Sequence, residues 1–410
     1  MIPRVAANIT RRELGEILKV PSRSYAEIVD DLERSFRSHL GFKKTFFLNS
    51  GTAALYAALN SIGVEGKEVL APAYTCGSVI EAILLAGGKP VLVDADIRTF
   101  NISLEDLKEK VTGDTRAVVV VDLFGNPVDY YELRDILEPY GVYVVEDAAQ
   151  ALGAKYDRRY VGCFGDAAVF SFGLGKGITG GGGGALVVNS GELVDRVEEF
   201  YNELKTPSLM EDSAVLARIF PMYLFSNKNL YGLAKPWVEE LTTREDSELV
   251  KRIFELLSGN RAVREREIER FCKISKFSAV AVLGQIARLK CIVERRRINA
   301  KYLLSNLDLT NCIDFQKCPE LGVHAYSRFG VVINCLDRKA VRRELARKGV
   351  DSEEMYGYMK KIYEAMGYTS PNATVLSEHI LCLPVHGKLA LKDLDFIVAS
   401  FNQLVSSRKL

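Results

Sequence analysis

Short apolar runs alternate with longer amphipathic stretches along the first half of the chain. Helical patterns, such as 52–62 and 79–86, separate seven runs that are rich in apolar and β-branched residues. These runs predict strands at 45–48, 68–71, 90–93, 117–121, 142–145, 167–171 and 184–188. Continuous apolar strands are usually buried on both faces. The pattern therefore predicts an α/β fold with a mostly parallel seven-stranded sheet flanked by helices.

The pattern changes after about residue 203. Residues 204–272 mix charged helical stretches with an aromatic-rich run at 219–225 and the only tryptophan, Trp237. We predict a helical insertion whose apolar side chains pack against the host domain. A lid, a subunit contact and a membrane-surface patch are alternatives that the pattern leaves open.

The C-terminal part predicts a smaller α+β domain. A long helix at 277–304 leads into a strand at 326–334, a helix at 338–348, a strand near Leu381 and a final helix at 391–405. We therefore predict four regions: an N-terminal helical segment (1–40), a large domain (41–203), the helical insertion (204–272), and a linker helix with the small domain (273–410).

Composition excludes some classes of function. The 410 residues are 48% hydrophobic and 26% charged, with a formal charge of +1, which is typical of a soluble two-domain protein. Basic and acidic residues are interleaved, so the sequence indicates no broad positive field that would attract nucleic-acid phosphates. We therefore do not expect nucleic-acid binding. The charged run at 294–297 is typical of the solvated face of a helix.

The sequence also indicates a location. No secretory signal pattern and no stretch of roughly 20 apolar residues is found, so we expect a cytoplasmic protein without a membrane span. The eight cysteines show no paired short spacing, which favours reduced thiols. His379, Cys382 and His386 lie in an apolar strand-like run, and we predict no metal site there.

The candidate chemistry lies at strand ends. Asp147 closes the run 142–145, and Lys176 follows it by 29 positions in a glycine-rich turn after the next strand. Pyridoxal 5'-phosphate (PLP) needs an acid for its ring nitrogen, which stays protonated beside a carboxylate, and a lysine for its aldehyde. Neighbouring strand side chains point oppositely, so only one of Glu146 and Asp147 faces such a cofactor.

A phosphate seat is predicted where the first strand meets a helix, at Ser50, Gly51 and Thr52. The first helical turn offers free N–H donors, Gly51 allows close approach, and the hydroxyls of Ser50 or Thr52 add donors. Alone, the pattern fits a plain helix N-cap better. Ser171 would also reach the phosphate, and Gln150 is placed to hydrogen-bond the cofactor's phenolic oxygen.

Lys176 has a rival interpretation as the lysine of a nucleotide-binding P-loop. That motif needs a glycine five residues before its Gly-Lys pair and a serine or threonine after it, whereas Phe170 and Gly177 stand at those positions. The sequence therefore favours the PLP lysine, with a solvated loop lysine as the remaining alternative.

Taken in order, these segments resemble the DegT/StrS family of PLP-dependent nucleotide-sugar aminotransferases, which belongs to the fold-type-I (aspartate aminotransferase) superfamily. The likeness covers most of the chain. It rests on the stretches 50–55, 87–94, 124–126, 146–154, 162–166, 170–176 and 383–384.

The resemblance implies a fold, an activity and a set of roles. Lys176 would be the catalytic residue and form the internal aldimine, Asp147 would pair with the ring nitrogen, and Ser171 would hold the phosphate together with Gly51 and Thr52. Glutamate would donate the amino group and a nucleotide-linked keto sugar would accept it, by a ping-pong mechanism in which Lys176 moves protons. A homodimer with active sites at the subunit boundary is also implied.

Three positions depart from the family pattern. Cys76 stands where relatives stack an aromatic ring on the cofactor; we expect its soft thiol to lie against the cofactor ring, with Tyr74 as a substitute only if the loop is reshaped. Met355 stands where relatives carry a histidine near the sugar. The segment 271–273 lacks an asparagine that relatives lend to the neighbouring subunit's phosphate, and Lys273, or Asn227 with Asn229, would replace it. The alternatives are a PLP-dependent sugar dehydratase, although those relatives carry histidine in place of Lys176, and a non-catalytic regulatory relative.

Overall fold

The structure is a computed structural model that describes residues 1–308, 313–334 and 336–407. Its strands are β1 (Lys44–Leu48), β2 (Glu68–Pro72), β3 (Lys89–Val93), β4 (Thr115–Val121), β5 (Tyr143–Asp147), β6 (Lys155–Tyr156), β7 (Arg159–Tyr160), β8 (Ala167–Ser171), β9 (Gly184–Val188), β10 (Ile313–Phe315), β11 (Gly322–Val323), β12 (Phe329–Ile333) and β13 (Ile380–Leu383).

Its helices begin with α1 (Arg11–Ile17), α2 (Tyr25–Leu40), α3 (Gly51–Ile62), α4 (Gly77–Leu85), α5 (Leu104–Lys110), α6 (Tyr130–Leu137), α7 (Gly191–Glu203) and α8 (Leu209–Phe225). They continue with α9 (Lys228–Leu257), α10 (Arg261–Glu269), α11 (Lys276–Ile286), α12 (Leu289–Asn306), α13 (Arg338–Lys348), α14 (Met359–Ala365), α15 (Pro371–His379) and α16 (Leu391–Ser407). Short 3₁₀ turns lie at Val20–Ser22, Leu123–Gly125 and Glu138–Tyr140.

The central sheet has seven strands in the order β1-β9-β8-β5-β4-β2-β3. All of its pairs are parallel except those of β9, which runs antiparallel to both β1 and β8. The predicted mostly parallel seven-stranded α/β sheet is therefore confirmed. Because six strands share one direction, their carboxyl ends meet at one edge, and β9 begins at that edge.

Side chains of the central strands alternate between two apolar cores. Along β4, Val118 and Val120 lie in one core, while Val119 and Val121 lie in the other. Helices such as α3 and α4 pack against one face, and α2 and α11 pack against the other. This two-sided burial explains why the strands are continuous apolar runs in the sequence.

A three-stranded antiparallel sheet, in the order β10-β12-β13, has a third core with α12, α13 and α16. The predicted helix at 277–304 is two helices, because Arg288 between α11 and α12 has φ −112° and ψ 5°, outside the helical region. The division into four regions stays a prediction.

The insertion is helical, but its apolar residues behave in two ways. Val215 and Ile219 are buried against the host, whereas Leu209, Leu233 and Trp237 are 86%, 76% and 75% exposed. The expected packing against the host domain is therefore wrong for the outer face of α8 and α9.

No helix in the described part of the chain is long and apolar enough to cross a membrane. Of the eight cysteines, Cys312 and Cys335 lie outside the described residues, and the other six are free thiols.

Candidate active site

Strand register brings three predicted site segments together. Gly184, the first residue of β9, pairs with Leu48 at the end of β1 and with Ser171 at the end of β8. Asp147, the last residue of β5, pairs with Val169 of β8. The ends of β1, β8 and β5 therefore lie close together at the carboxyl edge of the sheet.

The predicted phosphate seat lies between the start of α3 and the end of β8. A Cβ atom on Gly51 would stand 3.0 Å from Cβ and 3.3 Å from Oγ of Ser171, so glycine keeps this space open. The Ser50 hydroxyl accepts a hydrogen bond from the Ala53 N–H at 3.0 Å and acts as the N-cap. The N–H groups of Gly51 and Thr52 have no acceptor within the described residues, so the first turn of α3 keeps two donors for an anion.

The neighbouring acids Glu146 and Asp147 face opposite sides of the sheet. Glu146 is fully buried and accepts hydrogen bonds from the N–H groups of Gly162, Phe164 and Gly165, each at 2.6 Å. Its carboxylate therefore holds the 162–165 loop and has a structural role.

Asp147 has a different environment. Burial raises the pKa of Asp147, and the positive charge of Lys176 partly offsets this rise. One carboxylate oxygen accepts the Ala149 N–H at 3.0 Å, and the other has no partner among the described residues. Asp147 is thus a buried acid with a free oxygen, electrostatically coupled to the predicted catalytic lysine.

Guanidinium groups hold the turn that carries Lys176. Arg296 donates to the carbonyl oxygens of Lys176 and Gly177 at 3.4 and 3.0 Å, and Arg328 donates to that of Gly175. The Asn8 side chain adds a second donor to Gly177, at 3.0 Å. Three successive carbonyl groups are therefore fixed by side chains from outside the turn, which limits how far the backbone of Lys176 can move.

Arg296 corrects the expectation that the 294–297 run is solvated. It is 4% exposed and has no carboxylate partner in the described residues, and burial lowers the pKa of its guanidinium to about 10. Helical periodicity gives the missed signal, because Arg296 lies three residues after Val293 and three before Asn299, both on the buried face of α12.

A tyrosine cluster borders the other side of the predicted site. The Gln150 amide donates to the Tyr356 hydroxyl at 2.7 Å, and Tyr74 meets the Tyr356 ring edge-on at 5.9 Å. Cys76 caps α4, and its Sγ lies 3.9 Å from the Tyr358 hydroxyl. The sequence named Tyr74 only as a substitute for Cys76 if the loop were reshaped, and it did not predict Tyr358. Tyr358 lies 282 residues after Cys76, so no local pattern signals their meeting.

The residues considered as substitutes for the missing asparagine have partners of their own. Lys273 lies over the Tyr201 ring, with Nζ 4.9 Å from its centroid. Asn227 caps α9 by accepting the Asn229 N–H at 2.9 Å. In this single chain none of them contacts the Gly51–Ser171 seat.

A separate cleft of about 740 Å³ lies between α9, α13 and Arg4. Its lining includes Lys235, Arg342 and Glu353, and none of the predicted site residues. The candidate active site is therefore identified by its side chains and strand ends, and not by this cavity. No cluster of potential metal-binding side chains is found in the described residues.

At its carboxyl edge the mostly parallel α/β sheet brings together a buried acid, the turn that carries Lys176 and two free helix N–H donors. This combination is typical of an aminotransferase. The family model of the DegT/DnrJ/EryC1/StrS aminotransferase family matches residues 9–208 and 241–402. The chain belongs to this family, as its sequence had indicated.

Similar proteins include sugar-modifying enzymes. The chain is 37% identical over 180 residues to GDP-perosamine synthase of Escherichia coli O157:H7, covering 43% of this chain and 49% of that protein. It is 40% identical over 176 residues to a dTDP-3-amino-3,6-dideoxy-alpha-D-galactopyranose transaminase of Aneurinibacillus thermoaerophilus, covering 42% and 48%. The chain thus spans about half the length of the curated relatives it matches.

The whole fold matches solved structures. The PLP-form of Spr1654 from Streptococcus pneumoniae superposes with a TM-score of 0.77 at 22% identity, over 100% of both chains. This likeness shows the fold.

Proposed function

We propose that this protein is a PLP-dependent aminotransferase that moves an amino group from glutamate to a keto sugar linked to a nucleotide. The observation that carries the proposal is Asp147, a buried acid with one free oxygen, coupled to Lys176. Family membership and the names of the two relatives support a sugar substrate.

The residues present fit PLP. The free Asp147 oxygen suits a protonated ring nitrogen, and the unpartnered N–H groups of Gly51 and Thr52 suit a phosphate beside Ser171. We also assign Gln150 and Cys76 to the cofactor site: Gln150 contacts Tyr356, Cys76 contacts Tyr358, and the two tyrosine rings meet edge-on at 6.4 Å. When bound, PLP supplies an electron sink for the charge that develops at the reacting carbon.

The chain's own groups then have distinct tasks. Lys176 Nζ takes a proton from the substrate carbon and returns it on the cofactor side, so it acts as both base and acid. The carboxylate of Asp147 keeps the ring nitrogen protonated. Gly51, Thr52 and Ser171 hold the phosphate, and Arg296 and Arg328 keep the Lys176 turn in place.

We further propose a homodimer and a ping-pong order, in which glutamate reacts first and leaves as its keto acid before the keto sugar binds. Each substrate would then use the same lysine in turn, while Gly51, Thr52 and Ser171 hold the cofactor phosphate throughout. The family resemblance supports this order, and steady-state kinetics with both substrates varied should give parallel double-reciprocal lines.

The first experiment tests the cofactor and its lysine. Wild-type protein loaded with PLP should absorb visible light, and borohydride should fix the cofactor to Lys176, as peptide mass spectrometry would show. Lys176→Ala should lose this attachment and at least about 100-fold of its activity. The exposed Lys251 of α9 offers a matched control, since Lys251→Ala should retain both. A wild-type protein that cannot be loaded with PLP contradicts the proposal.

The second experiment tests the acceptor. PLP-loaded enzyme and glutamate are mixed with nucleotide-linked 3-keto and 4-keto sugars, and aminated products are sought by mass. Reaction with free keto acids alone would show that the sugar assignment is wrong while the aminotransferase assignment stands.

A further inference from the structure

The cleft of about 740 Å³ between α9, α13 and Arg4 lies apart from the candidate active site. We call it the α9–α13 cleft. Its volume falls in the range of roughly 300–1,000 Å³ that small-molecule sites occupy, but such sites are usually lined by apolar and aromatic side chains. Here charged and hydroxyl-bearing side chains form the lining, and Ala346 is its one apolar member in the described part of the chain. The space therefore suits a small, highly charged molecule.

Each of the two helices contributes one of its faces to the cleft. The residues of the α9 wall follow helical spacing, so they share one side of that helix: Lys235, Glu239, Thr242, Thr243 and Asp246. The family model skips residues 209–240, so the part of α9 that carries Lys235 and Glu239 belongs to this chain's own insertion. The proposed chemistry does not explain this wall.

The α13 wall carries a row of three cations with spare donors. Lys339, Arg343 and Arg347 recur every four residues and are therefore about 6 Å apart along the helix. Lys339 has no ion-pair partner within the described residues, Arg343 lies 3.9 Å from Asp337, and Arg347 reaches Glu344 through Nη1 alone. A single phosphate can meet only one or two of these cations, whereas an extended chain of phosphates can meet all three.

A buried guanidinium group lies at the floor of the cleft. Arg4 is 7% exposed, and its Nε lies 3.8 Å from Asp351 and 3.6 Å from Glu353. Its Nη2 donates to the Thr242 hydroxyl at 3.4 Å, and its Nη1 has no acceptor among the residues that the structure describes. The two carboxylates hold Arg4 in place, so a fixed donor remains free for an anion in the cleft.

The four acids of the lining leave room for an anion. Three of them accept hydrogen bonds from arginines, which run from Arg342 to Glu239, from Arg338 to Glu354 and from Arg328 to Glu353, at 2.8, 2.8 and 3.1 Å. Asp246 has no ion pair in the described part of the chain, and burial raises its pKa to about 6. Because a neighbouring anion raises this pKa further, Asp246 can take up a proton when an anion binds.

We propose that the α9–α13 cleft binds the polyphosphate group of a small molecule, as a second site separate from the candidate active site. Lys339, Arg343 and Arg347 contact successive phosphates, and Arg4 contacts the phosphate that enters deepest. No aromatic side chain of the described residues lines the cleft, so the phosphates are recognised and a nucleoside base is not. The proposal does not depend on the proposed aminotransferase chemistry.

Isothermal titration calorimetry on the full chain loaded with PLP compares phosphate, pyrophosphate, tripolyphosphate and adenosine triphosphate. The ionic strength is held constant, because salt screens these attractions. Affinity should rise at least about 10-fold from phosphate to tripolyphosphate, since a longer chain reaches more of the cation row. Adenosine triphosphate should bind within about threefold of tripolyphosphate, and adenosine alone should not bind.

Variants of opposite charge effect separate binding in the cleft from general attraction. Lys339→Ala/Arg343→Ala should weaken tripolyphosphate binding at least about 10-fold, with an unchanged far-ultraviolet circular dichroism spectrum. Asp246→Asn should strengthen it about threefold at pH 8, because it removes a like charge from the α9 wall. Arg244→Ala/Lys251→Ala is the matched control, since these side chains are 75% and 76% exposed on α9 and do not line the cleft, and it should bind as wild type does.

Four outcomes would overturn the proposal. Wild-type protein that does not bind tripolyphosphate has no such site. Binding that occurs only before PLP is loaded places the anion between Gly51 and Ser171. An equal loss of affinity in Lys339→Ala/Arg343→Ala and in the control shows attraction by net charge alone. Adenosine triphosphate that binds more than about 10-fold tighter than tripolyphosphate shows a site that reads the nucleoside.

Discussion

At the residue scale, the contrast between Glu146 and Asp147 shows how position decides the role of a carboxylate. The two acids are adjacent in β5, yet one is saturated by three backbone donors and the other keeps a free oxygen beside Lys176. The first stabilises a loop, and the second is available for chemistry.

This contrast gives a paired prediction. Glu146→Gln should lower the free energy of unfolding by about 2–3 kcal/mol, because the neutral amide turns an NH₂ group toward backbone donors. Asp147→Asn keeps its contact with Ala149 and should change stability by less than about 1 kcal/mol. Its activity should fall by roughly 10- to 1,000-fold, since the ring nitrogen loses its ion pair.

Urea unfolding and steady-state rates check both variants. A stable, inactive Glu146→Gln protein together with an active Asp147→Asn protein would reverse the assigned roles.

The sequence predicted Asp147 and Lys176 because each follows a strong strand pattern. Strand alternation alone could not separate Glu146 from Asp147, since the choice depends on which sheet face the 162–165 loop covers, and only the family resemblance favoured Asp147. Arg296 was missed for a similar reason. A charged run is normally solvated, and only the tertiary contact with the carbonyl groups of Lys176 and Gly177 explains its burial.

At the element scale, the lysine turn depends on α12, which lies more than 100 residues away in the chain. A guanidinium can reach two carbonyl groups at once, whereas an ammonium group on a shorter side chain cannot reproduce that geometry. The turn should therefore loosen when this arginine is changed, even if charge is kept.

Arg296→Lys should speed amide hydrogen exchange in the turn around Lys176 and weaken PLP retention by about tenfold, equivalent to the loss of one hydrogen bond. Hydrogen-exchange mass spectrometry and dialysis of the loaded protein would measure these effects. The neighbouring Arg297 is 44% exposed and pairs with Glu294, so Arg297→Lys is the control and should behave as wild type. Equal rates of amide hydrogen exchange around Lys176 in the two variants would show that Arg296 does not hold this turn in place.

Secondary-structure elements were predicted well from the sequence where both faces of a strand are buried. All seven strands of the main sheet were recognised, because their continuous apolar runs have one simple cause. The break between α11 and α12 was not, since neither glycine nor proline marks residues 287–288. The exposure of Leu209, Leu233 and Trp237 was also missed, because a helical pattern shows which residues share a side of the helix and not whether a neighbouring element covers that side.

At the scale of the whole molecule, two buried histidines link stability to pH. Burial lowers the pKa of His324 to about 3 and that of His386 to about 4. In the unfolded chain both titrate near the ordinary value of about 6.5. Between these values the unfolded chain binds protons that the folded protein does not, so stability is complete above about pH 6.5 and falls as pH decreases.

The wild type should lose up to about 1.4 kcal/mol per pH unit for each histidine in this range. The double variant His324→Gln/His386→Gln should show a shallower slope in urea unfolding between about pH 7 and pH 5. His39 is exposed on α2, and His39→Gln should keep the wild-type slope. If the free energy of unfolding of the double variant falls as steeply with decreasing pH as that of the wild type, groups other than these two histidines cause the loss of stability in acid.

The antiparallel strand β9 also affects how the protein folds. Within the described sheet β1 pairs only with β9, although roughly 140 residues separate them in the chain. The first strand therefore cannot join the sheet until that long intervening segment has been synthesised and arranged, which makes this contact slow and late. Because the anion seat begins at the end of β1, a growing chain should become able to retain PLP only when the sheet is complete.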